Sequence, residues 1–98
     1  MTFEEFAKSV EENDDPPAGV SEELRALWLT KKDRWSEAHE VVNDISGPMG
    51  SWIHAHLHLI EGDLGNAGYW YNRAGKPARV HREEISEEWE QLVRANLA

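Results

Sequence analysis

A chain of 98 residues has room for one domain with a single modest core. Its formal net charge of −9 excludes nucleic acid, whose phosphates demand a lysine- and arginine-rich face, and argues against docking on anionic membranes. The lack of cysteine removes disulfide frameworks, thiolate nucleophiles and Cys-type zinc sites from consideration.

Thr2 followed by Glu5 has the spacing of a capping box, and Phe3, Phe6 and Val10 recur at helical spacing. Residues 1–15 are therefore expected to form an N-terminal capping helix. Its end, EENDDPPAG, reads as a solvated acidic linker. This acidic start is unlike a signal peptide, and no apolar run reaches the ~20 residues of a membrane helix. A cytoplasmic location follows as the expectation.

A first helical hairpin is expected over 21–46. Ser21 can cap its first helix, which carries Leu24, Leu27 and Trp28 on one stripe and Lys31 and Lys32 at the negative end of the dipole. Asp33 restarts the chain as a helix bearing Trp35, Ala38, Val42 and Ile45, which Gly47 and Pro48 are expected to stop. A second hairpin, 48–75, follows. Asp63 caps its second helix, and Ala67, Tyr71 and Ala74 form the inward stripe. After the connector KPARVHR, residues 83–97 form a C-terminal capping helix. Ile85, Trp89, Leu92 and Val93 mark its apolar side, and Glu84, Glu87, Glu88 and Gln91 its polar side. No stretch alternates with a period of two, so the class is all-α, with five to six helices.

The two hairpins align. Ala26, Leu29, Asp33, Trp35, Ala38, Val42 and Ile45 fall opposite Ala55, His58, Gly62, Leu64, Ala67, Tyr71 and Ala74. The constant offset is 29 residues, shorter than a tetratricopeptide unit of ~34. On Ala55, Gly62, Ala67, Tyr71 and Ala74 the second hairpin resembles a tetratricopeptide (TPR) repeat. The first departs from that pattern at Asp33, Val42 and Ile45. The second hairpin is also similar to small bacterial proteins sharing a WIHAxLHxxEGDxxNAxYWYxRAG string. The resemblance implies a right-handed stack of antiparallel hairpins and a protein- or peptide-binding module without catalysis. A homodimer is one form of such binding. The expected docking face comprises Trp52, His56, Leu59, Trp70 and Arg73; no catalytic residue and no cofactor is assigned.

The helix over 51–61 is apolar almost all round, as befits the buried centre of a domain, so its histidines are informative. At 100° per residue His54, His58 and Glu61 share a face, and His56 points nearly the opposite way. The expected role of His54 and His58 is a hydrogen-bonded polar core with Tyr71, Asn66 and His39 as partners. The alternative is a metal site of His54, His58 and Glu61, completed by His39 or Asp63, in a metal-binding protein or metal-dependent enzyme. Gly65 and Gly68 inside a helix each cost about 1 kcal/mol relative to alanine, and close approach of another helix or chain is the expected reason.

Overall fold

A computed structural model describes residues 1–97 and shows an all-α chain of six helices, with no strand among the described residues. The helices are α1 (Phe3–Glu12), α2 (Glu22–Lys31), α3 (Trp35–Asn43), α4 (Gly47–Glu61), α5 (Leu64–Ala74) and α6 (Ile85–Leu97). A 3-10 turn at Arg82–Glu84 leads into α6. None of the described helices is long and apolar enough to cross a membrane.

Local signals set most of the boundaries. Thr2 and Glu5 form the reciprocal capping box, with Glu5 N donating to Thr2 Oγ1 at 3.1 Å and Thr2 N to Glu5 Oε1 at 2.8 Å. Ser21 caps α2 through Leu24 N, and Asp63 caps α5 through Asn66 N. Gly62 closes α4 at φ 83°, a left-handed conformation that glycine reaches without steric cost.

Two boundaries differ from the sequence expectation. Asp33 does not start a helix: it adopts φ 65° just past the end of α2, the conformation of Gly62 opposite it in the alignment. The Arg34 amide then donates to the Leu29 carbonyl at 2.9 Å, which satisfies one of the free carbonyls at the helix end. Gly47 and Pro48 do not stop α3 but open α4, where proline lies in the first turn and loses no helical hydrogen bond. The chain between them is tight. A Cβ on Gly50 would lie 2.2 Å from the Ile45 carbonyl oxygen, so only glycine fits there.

The main core joins Phe6 and Val10 of α1, Leu27 and Trp28 of α2, Ala38 and Val42 of α3, Ile53 and Leu57 of α4, and Trp89, Leu92 and Val93 of α6. A smaller cluster of Ala55, Leu59, Ala67 and Tyr71 seals α4 against α5. Indole N–H groups are satisfied inside this packing: Trp28 donates to Ser9 Oγ, Trp35 to the Leu57 carbonyl and Trp89 to the Leu27 carbonyl. α4 touches α2, α3, α5 and α6. It is the element the rest is built around, and both of its polar faces are covered.

Candidate metal centre

One covered face of α4 meets α3 in a cluster of imidazoles. His54 and His58 lie one turn apart and His39 faces them from α3; His54 and His58 are buried and His39 is half-buried. Their candidate ligand nitrogens lie within 4.8 Å of one another. His39 Nε2 and His54 Nε2 are 3.0 Å apart, so in neutral rings one donates and the other accepts. His58 Nδ1 is 2.5 Å from Glu61 Oε1. A carboxylate only accepts, so Nδ1 is the donor in this bond. Asp63 lies within the same 4.8 Å reach of His58 and Glu61 on the exposed side.

Aromatic walls hold the rings. His54 stacks on Trp70 with centroids 3.9 Å apart and planes within 6°, and His39 stacks on Trp35 at 4.9 Å. Arg73 lies over the Trp70 ring at 5.5 Å and covers this wall from outside. Burial, reinforced by the charges that His39 and His58 would carry, pushes the His54 imidazole down to about 4. His39 is lowered as well, by burial first and then by His58. Both rings are therefore neutral near pH 7, the form that offers a lone pair to a cation.

The residues fit a divalent transition ion. A tetrahedral ion ~2.0–2.1 Å from each nitrogen sets the nitrogens ~3.3 Å apart, and here they lie within 4.8 Å of one another. Glu61 on His58 Nδ1 is the carboxylate–histidine arrangement that would orient the imidazole if its Nε2 held an ion. Three protein nitrogens leave a fourth position for water, on the side where His39 reaches solvent.

The opposite face of α4 holds a second buried polar cluster, and its centre is a residue the sequence reading assigned to a solvated surface. Glu88 of α6 is 0 % exposed. Its carboxylate accepts from His56 Nδ1 at 2.6 Å and Trp52 Nε1 at 3.0 Å and forms an ion pair with Arg79, Nε at 3.2 Å. The Tyr71 hydroxyl lies 2.8 and 2.7 Å from its two oxygens. Burial alone would raise the Glu88 pKa, but the bonds from His56, Tyr71 and Trp52 reverse that and hold it below the ordinary carboxylate range. Burial, then the bond to Glu88, pushes the Tyr71 phenol far up. The signal was present in the sequence: 85, 88, 89, 92 and 93 form one helical stripe, and Glu88 sits within it.

The expected docking residues scatter. His56 and Leu59 are interior, 0 % and 2 % exposed, because α4 is covered on all sides; they line no docking face. Trp52 is half-buried between Glu88 and Lys76, whose ammonium lies 4.2 Å from its ring centre. Trp70 covers His54, and Arg73 is exposed above Trp70 and Tyr69. The expected histidine partners also change: Tyr71 serves Glu88, Asn66 is exposed, and His39 alone of the three bonds to the cluster.

No family model, curated protein or solved structure matches the chain. The tetratricopeptide resemblance therefore rests on the residues of the second helix pair.

Proposed function

We propose that the protein binds a divalent transition ion of the zinc class through His39, His54 and His58. The observation that carries this reading is the convergence of three imidazoles from two helices, with Glu61 on Nδ1 of His58. Histidine nitrogens suit zinc, copper, iron and nickel better than magnesium or calcium, which take oxygen ligands. Peptide docking is the lesser reading. Two of its five expected residues are interior, and the other three are engaged by Lys76, His54 and Tyr69.

Calorimetric titration of metal-free protein with zinc tests the proposal. The expected stoichiometry is about one equivalent per chain, lost in His54→Ala. Glu61→Gln should retain the site at roughly 10–100-fold weaker affinity, as loss of an orienting carboxylate does elsewhere. A wild type that takes up no zinc, or a His54→Ala variant that binds it equally well, would overturn the reading.

A further inference from the structure

Charge and exposed apolar surface are unevenly distributed along the chain. All 19 acidic residues lie outside the stretch from Leu64 to Arg82, which holds α5 and the connector after it and carries Arg73, Lys76, Arg79 and Arg82. Leu64 and Tyr69 of α5, 45 % and 55 % exposed, are among the few large apolar side chains that reach solvent. Ala67 and Tyr71 face the core, so Gly65, Tyr69 and Asn72 form the outward stripe of this helix. Arg73 lies beside the stripe, over the rings of Tyr69 and Trp70. Its hydrogen bond goes to the Tyr69 hydroxyl at 3.4 Å, and among the described residues it forms no ion pair.

We propose that two copies of the chain meet on this face, as an antiparallel pair of α5 helices about a two-fold axis. With a net charge of −9, copies repel each other wherever carboxylates are opposed. The outward side of α5 presents none between Asp63 and Glu83. The face is also complementary to itself, as a two-fold contact requires. When Gly68 of one copy faces Tyr69 of the other, Gly65 faces Asn72, and Arg73 comes opposite Leu64, next to Asp63. Tyr69 then fills the room above the glycines, where an added Cβ on Gly65 or Gly68 meets nothing within 4 Å. Each Arg73 approaches the exposed Asp63 at the start of the other copy's α5, once at each end of the contact. Close approach of a second copy gives both glycines a use that their own chain does not. A helix of 11 residues is ~16 Å long, so the contact is small and the dimer a weak one, about micromolar or weaker. None of the three imidazoles takes part, and the pairing does not depend on the metal proposal.

Sedimentation equilibrium of the metal-free full chain, from about 10 μM to about 1 mM, tests the pairing. The expected result is a reversible monomer–dimer equilibrium within that range. Gly68→Gln fills the gap with a good helix former, so it should preserve or raise the melting temperature while leaving the chain monomeric throughout. Arg73→Glu sets carboxylates against each other at both ends and should weaken the dimer by about tenfold or more. A wild type that stays monomeric at the highest concentration would overturn the proposal. A dimer undiminished in both variants would lie on another face and would overturn it too, as would growth beyond a dimer, which a closed two-fold contact forbids.

Discussion

Glu88 occupies a stripe position that normally holds an apolar side chain, and its donors make the burial tenable. Removing the carboxylate strands Trp52 Nε1, the Tyr71 hydroxyl and the Arg79 guanidinium together. Glu88→Ala is therefore expected to destabilise the fold by roughly 3–5 kcal/mol in urea unfolding, the usual cost of breaking a buried ionic network from one side. Glu88→Gln keeps an accepting oxygen and should lose clearly less. An unchanged urea midpoint for Glu88→Ala would show that the network adds nothing to stability. His54 gives a second residue-scale expectation. Its folded pKa of about 4 lies below the ordinary 6.5, so the unfolded chain binds the extra proton between those values. Stability from this group is complete above pH 6.5 and is lost as the pH falls towards 4, by up to about 1.4 kcal/mol per pH unit for one proton. Urea midpoints of the metal-free protein at pH 7 and pH 5 measure it, and His54→Phe should flatten the difference.

At the scale of elements, glycines separate tight places from open ones. Gly65 and Gly68 of α5 have nothing within 4 Å of an added Cβ, so no helix of this chain requires them. Gly65→Ala and Gly68→Ala should each stabilise the protein by about 1 kcal/mol, the helix-propensity difference, read as a rise in melting temperature. Gly50→Ala should do the reverse, because its Cβ would collide with the Ile45 carbonyl. Most elements were legible from sequence. The caps at Thr2, Ser21 and Asp63 act through neighbours three residues away, so spacing alone reveals them. The turn at Asp33 and the start of α4 were not. An aspartate at positive φ carries no sequence mark, and a Gly-Pro pair reads equally well as the end of one helix or the beginning of the next.

The whole molecule is arranged about α4, which separates two polar clusters on its opposite faces. Helical periodicity showed that His54 and His58 share a face and that His56 points away, because this depends on one helix alone. The partners were harder to read, since they come from elsewhere in the chain: His39 from α3, Glu88 from α6 across thirty-two positions, and Arg79 from an irregular connector. A charged side chain counts as a surface residue until tertiary packing supplies its donors, and packing is what the sequence does not spell out.

The central claim concerns a place, so the most direct measurement is a location. Crystals of the metal-free protein soaked in a low concentration of zinc would be measured on both sides of the zinc absorption edge. The expected result is an anomalous peak ~2.0–2.1 Å from one nitrogen each of His39, His54 and His58, with Glu61 retained on the far nitrogen of His58. No peak among those rings, with zinc found only on exposed carboxylates, would contradict the assignment and leave the three imidazoles as a hydrogen-bonded, aromatic-walled part of the core.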